Sequence, residues 1–118
     1  MKKLKKQLEE FFELYDTVII VNTKTDEALL CLKPEMDIYE DFVLLKFDSL
    51  NDRGGNSTQV KAIQGTEKDT LYIENEFENI LMLQALTLKN YHYYIKNQYT
   101  NTKDFTSLDE LKSFIKKQ

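Results

Sequence analysis

Residues 17–21, Thr-Val-Ile-Ile-Val, are five β-branched side chains in a row. Such side chains lose rotamer freedom in a helix and pack well on a pleated surface, so the run reads as a buried strand. The following residues supply pairing partners for it. Residues 22–26 (Asn-Thr-Lys-Thr-Asp) are turn-like, and 27–32 read as the returning strand of a hairpin that Pro34 closes. Pro34 to Asp41 reads as an acidic connection with room for one helical turn. Residues 42–47 (Phe-Val-Leu-Leu-Lys-Phe) form a third strand. Asp48 to Ser57, with Arg53, Gly54 and Gly55, is the clearest loop. Residues 58–64 alternate like a strand, 65–69 turn again, and Leu71 to Ile73 read as a short strand.

Three helices are predicted around these strands. Leu4, Leu8, Phe11, Phe12 and Tyr15 recur at helical spacing, so residues 3–15 form an amphipathic helix. Lys2, Lys3, Lys5 and Lys6 at its start oppose the macrodipole. Residues 75–88 fit a helix through Phe77, Ile80, Leu81, Ala85 and Leu88, with Glu74, Glu76 and Glu78 at its start and Asn90 at its end. Ile80 to Leu88 is apolar nearly all round, which also fits a buried strand; helix is the preferred assignment. Residues 91–98 read as a strand with Tyr91, Tyr93 and Ile95 on one face and His92 and Tyr94 on the other. Ser107-Leu108-Asp109-Glu110 is a capping box opening a last helix, which carries Leu111, Phe114 and Ile115. The expected fold is α+β in the order αββββαβα. Its mixed or antiparallel sheet has about four to five strands, with N-terminal, central and C-terminal helices.

A chain of 118 residues suits one domain spanning 1–118, and 42% hydrophobic with 31% charged residues is ordinary globular composition. No apolar run approaches the length that crosses a bilayer as a helix. Met1 to Lys6 is basic but lacks the apolar stretch of a signal peptide. Cys31 is the only cysteine, so an internal disulfide and a cysteine zinc cluster are both excluded within one chain. With these features a cytoplasmic protein is expected. Cys31 lies in the apolar run 28–32 and reads as a small buried hydrophobe. His92, the only histidine, is flanked by tyrosines and reads as a packing or rim residue. The three glycines, Gly54, Gly55 and Gly65, make neither a Walker A loop nor a dinucleotide fingerprint. No cofactor or resident metal is expected.

The net charge of −4 is unevenly spread. Residues 16–52 hold nine acids and three lysines, a local net of −6, whereas 89–118 hold six lysines and three acids, a net of +3. The acidic stretch would repel a phosphate backbone, and Arg53 is the only arginine, so direct nucleic-acid binding is not expected. An acidic surface on a small domain instead suits a basic surface on another protein, where charge complementarity speeds association. The plainer alternative is a solvated face.

One constellation carries possible chemistry. Asp48 follows the strand 42–47, and Gln59-Val60-Lys61 opens the next. The arrangement is similar to that of many metal-dependent nucleases, in which an Asp so placed and an acid on the next strand hold Mg²⁺ while a lysine orients water and stabilises developing charge. With a helix and then the aromatic strand 91–98 following, residues 42–98 resemble a restriction-endonuclease-like core. The resemblance implies a divalent-metal nuclease using Asp48, Gln59 and Lys61; Glu9 and Glu10 on the first helix are separate candidates to complete such a site, at positions the sequence does not fix. Gln59 stands where an acid is usual and no proline precedes Asp48, so the match departs from that pattern. Residues 14–21 with the following hairpin also resemble the opening of PAS-type sensory domains, which implies a fold and no ligand.

The expectation that follows is a small, acidic, non-enzymatic binding protein of the inhibitor, immunity-protein or adaptor kind. Asp37, Glu40, Asp41 and Asp48 would supply charge, and Tyr91, Tyr94 and Tyr99 aromatic anchors, because tyrosine is enriched in binding hot spots. The metal nuclease is one alternative. A self-associating module is another, because a helix over 75–88 would be too apolar to lie alone on a surface.

Overall fold

The computed structural model describes residues 2–50, 55–96 and 104–117. A helix α1 (Lys2–Leu14) precedes six antiparallel strands: β1 (Thr17–Asn22), β2 (Ala28–Ile38), β3 (Val43–Ser49), β4 (Asn56–Glu67), β5 (Thr70–Asn75) and β6 (Ile80–Ala85). Each strand pairs with the next, and β6 returns to pair with β1, so the sheet closes into a barrel. Helices α2 (Leu88–Tyr94) and α3 (Leu108–Lys116) follow. The expected open sheet of four to five strands is thereby overturned: the order is αββββββαα, and the sheet has closed on itself.

Closure explains the run at 17–21. Val18 and Ile20 point into the barrel with Cys31, Val43, Leu45, Val60, Leu71, Ile73, Leu81 and Leu83. Ile19 and Val21 point outward, where Leu30, Tyr91, Ile95, Leu111 and Ile115 cover them. A strand apolar on both faces is what this two-layer burial requires. α1 crosses the barrel end at which β1 starts; Leu4 and Leu8 join the interior, with Phe11, Phe12 and Tyr15 packed beside them. Burial pushes the Cys31 thiol far above its usual range, and the nearby Asp48 charge adds to the shift. A thiol held protonated in this way is a packing group rather than a nucleophile.

Two assignments reverse together. The stretch predicted as a helix over 75–88 contains the β5–β6 turn and β6. The Asn75 side-chain oxygen accepts hydrogen bonds from the backbone N–H groups of Phe77 (3.1 Å) and Asn79 (3.0 Å), and Glu78 sits at φ 60°. This tight reversal uses the acids expected to open a helix. The run that follows is apolar on both faces because Leu81 and Leu83 face the interior while Met82 packs beneath the C-terminal helices. The stretch predicted as a strand from Tyr91 is instead α2. The Thr87 hydroxyl caps it by accepting from the Asn90 N–H (3.0 Å), and the Asn90 amide donates to the Ala85 carbonyl (3.1 Å). Asn90 therefore ties the start of a helix to the end of β6, and does not terminate a helix.

Pro34 does not close the hairpin. Lys33 takes up a left-handed conformation (φ 45°), the β2–β3 register shifts between Leu32 and Glu35, and β2 runs on to Ile38. Such a bulge lets the strand absorb a residue with no N–H and continue. The expected helical turn over 34–41 is absent for this reason. At the C-terminus, the Ser107 hydroxyl accepts from the Glu110 N–H (3.1 Å), and the Glu110 carboxylate accepts from the Thr106 N–H (3.1 Å) and hydroxyl (2.7 Å). The capping box thus reaches one residue further back than usual.

Candidate protein-binding surface

The acidic residues at 35–41 lie on one structural unit. β1 pairs with β2 only as far as Leu32, so the β2–β3 hairpin beyond the bulge projects past its neighbour. Its strands pair Glu35 with Lys46, Met36 with Leu45, Asp37 with Leu44 and Ile38 with Val43. Met36, Val43 and Leu45 turn inward to the core, which leaves Glu35, Asp37 and Lys46 on the outer face. The Asp37 carboxylate contacts the Lys46 ammonium at 2.9 Å. This hydrogen bond and the Asp37 charge, helped by Glu35, hold the Lys46 ammonium above its ordinary value.

At the tip, the Tyr39 N–H donates to the Phe42 carbonyl (3.0 Å), and the two rings stack at 4.8 Å with 21° between planes. The stack clamps the ends of the turn, leaving Glu40 and Asp41 exposed between them. Among the described residues neither acid makes an ion pair. Ile38 and Tyr39 are 44% and 48% exposed beside them. The tip therefore combines two unneutralised carboxylates with exposed apolar and aromatic surface on a braced hairpin. Ile38, Tyr39 and Phe42 were not among the sequence-predicted contact residues. An aromatic pair flanking two acids between two β-type runs was the signal that could have found them.

The remaining predicted residues are dispersed. Asp48 lies opposite Leu32 on the outer face, between two clefts. One cleft, of about 470 Å³, separates it from Lys112 and Lys116 of α3. Tyr91 is fully buried and packs edge-on against Phe105. Its hydroxyl has no hydrogen-bond partner among the described residues. Burial makes Tyr91 a core residue that presents nothing to a partner. Tyr94 is half-buried against Tyr93 (4.7 Å, edge-on), and Tyr93 is the exposed member at 78%. Tyr99 lies outside the described residues. His92 packs edge-on against Tyr91, with Nδ1 3.9 Å from an Asp104 carboxylate oxygen. Lys96 bonds that same carboxylate and holds Asp104 below the usual carboxylate range.

Asp48, Gln59 and Lys61 do not converge. Gln59 pairs with Leu44, four residues along β3 from Asp48, or about 13 Å at the rise of an extended strand. Lys61 lies further along, in a cleft with Lys3 and Gln7 of α1. The Glu76 carboxylate accepts from the Thr58 hydroxyl (3.1 Å) and the Gln59 N–H (2.5 Å), and so serves the β5–β6 turn. Glu9 pairs with Lys5 along α1. Among the described residues no group of three or more His, Cys, Asp or Glu could hold a metal ion. The strand–strand–helix–strand order that motivated the nuclease comparison is replaced by four antiparallel strands and then a helix. No helix among the described residues is long and apolar enough to cross a membrane. Comparison with known proteins finds no matching family model, no matching curated protein and no matching solved structure.

Proposed function

We propose that this protein is a small, acidic, non-enzymatic binding protein that acts by occupying a basic surface of another protein, as inhibitors, immunity proteins and adaptors do. The observation that carries this reading is the hairpin tip, with Glu40 and Asp41 exposed and unpaired between the stacked Tyr39 and Phe42. Unneutralised charge steers encounter, and a rigid aromatic beside it supplies contact area at small entropic cost. The earlier ground for self-association no longer holds, because the apolar run 80–85 is spent on the barrel wall.

The test is association kinetics with a partner captured from lysate of the source cell after nuclease treatment. Reversing both charges (Glu40→Lys with Asp41→Lys) is expected to slow association by about tenfold or more at low salt, and the difference is expected to shrink as salt rises. An association rate that ignores both the reversal and the salt would remove the electrostatic basis of the proposal.

A further inference from the structure

The projecting part of β2 has a free edge. The Tyr39 N–H to Phe42 carbonyl bond marks residues 39 and 42 as a hydrogen-bonded pair. Bonded and non-bonded pairs alternate along an antiparallel ladder, so Asp37 with Leu44 and Glu35 with Lys46 are bonded pairs too. The N–H and C=O groups of Met36 and Ile38 therefore point away from β3. The strand that would receive them is β1, and its pairing with β2 stops at Leu32. No described residue bonds the Met36 or Ile38 backbone on that side. Barrel closure pairs β1 with β6; β4 beyond Val60 likewise has no partner on its β3 side among the described residues, and there Lys61 and residues 63–66 share a cleft with Lys3, Leu4 and Gln7 of α1. Pro34, which has no N–H, guards only the first position of the β2 edge.

We infer that β2 residues 34–38 form a strand-addition site that receives an extended, basic segment of the partner protein. This inference rests on the proposed function and names how the same hairpin would engage its partner. Three carbonyls and two N–H groups are offered on the edge, at alternate residues, as backbone recognition of a strand requires. The side chains set the chemistry of the guest. Glu35 flanks the edge on the outer face beside Asp37, whose carboxylate Lys46 already meets, and the unpaired Glu40 and Asp41 extend the negative charge at the tip. Met36 and Ile38 lie on the opposite face. A guest strand with lysine or arginine at alternate positions and apolar side chains between them satisfies both faces at once.

The probe is the capped peptide (Lys-Val)₄, with (Lys-Gly)₄ as a control of equal charge and poor strand-forming tendency. Amide hydrogen exchange of the intact protein is read residue by residue by NMR. The Met36 and Ile38 amides are expected to exchange freely alone and about tenfold or more slowly under saturating (Lys-Val)₄. The Asp37 amide, bonded to β3, should be protected throughout. Ile38→Pro removes one edge donor without touching the β3 ladder and is expected to weaken peptide binding about fivefold. The inference is overturned if (Lys-Val)₄ fails to bind at millimolar concentration or binds no better than (Lys-Gly)₄. It is equally overturned if binding leaves the Met36 and Ile38 amides unprotected. If charge reversal at the tip still slows association while the edge amides do not respond, strand addition alone fails and the hairpin reading stands. If the reversal has no effect, the reading beneath it fails.

Discussion

Leu8 is the side chain on which α1 is seated. It is fully buried among barrel residues, although it belongs to a helix outside the sheet. Leu8→Ala removes a branched apolar group and leaves a void at the barrel mouth. The wall around that void is hydrogen-bonded β-ladder, which collapses poorly. Both the transfer and the cavity contributions should therefore be felt, and a loss of about 3 kcal/mol is expected within the range for buried leucine truncations. With an unfolding entropy proportional to length, that loss lowers Tm by about 12 °C for a chain of this size. Urea unfolding followed by far-ultraviolet circular dichroism measures the change. Leu14→Ala, at a helix position 75% exposed, serves as the comparison and should stay within about 0.5 kcal/mol of the parent. A loss under about 1 kcal/mol for Leu8→Ala at unchanged m would refute the seating of α1 in the barrel mouth.

Two further outcomes are expected. Tyr91→Phe removes a buried hydroxyl that has no partner among the described residues, so stability should hold or rise by up to about 1 kcal/mol; a loss above that in the same urea assay would show that the hydroxyl is bonded. Asp104 is depressed by its bond to Lys96 and by the Lys96 charge, so its contribution to stability is present above the ordinary value of 3.8 and is lost as pH falls through the lower folded value. A carboxyl-carbon NMR titration should place its midpoint below 3.8, and Lys96→Ala should return it upward; a midpoint indifferent to that substitution would remove the pair as cause.

The local devices of the fold were legible, whereas its closure was not. The stripe Leu4, Leu8, Phe11, Phe12, Tyr15 and the Ser107–Glu110 cap are short-range patterns, and both elements form where those patterns place them. Pairing of β1 with β6 joins residues from Val18↔Ala85 to Asn22↔Leu81, about sixty positions apart, and no local signal encodes it. Instead the sequence carries its consequence: residues 17–21 and 80–85 are both apolar on two faces, because each strand separates the barrel interior from a covered exterior. Apolar saturation hides period, and for 80–85 this favoured a helix. The segment 91–95 failed for the opposite reason. Alternation of Tyr91, Tyr93 and Ile95 suits a strand, but the buried set is Tyr91 and Ile95, four apart, with Tyr93 in solvent.

The proposed binding surface was legible as charge and illegible as shape. Nine acids within residues 16–52 are visible by counting, yet the described ones do not share one face: Asp48 lies on the outer wall, Asp37 is committed to Lys46, and Glu40 and Asp41 stand unpaired at the hairpin tip. What distinguishes those two is the bulge at Lys33–Pro34, which carries β2 past the end of its pairing with β1. Proline in a strand-like stretch is ordinarily read as an end, because it cannot donate to a ladder. Here the missing donor lies where β1 has already stopped pairing, so little is lost and the strand continues. The same substitution of an irregular step for an ending produces the projecting hairpin, its free edge and its exposed tip. A chain in which Pro34 ended the strand would keep every acid and lose the rigid platform that presents them.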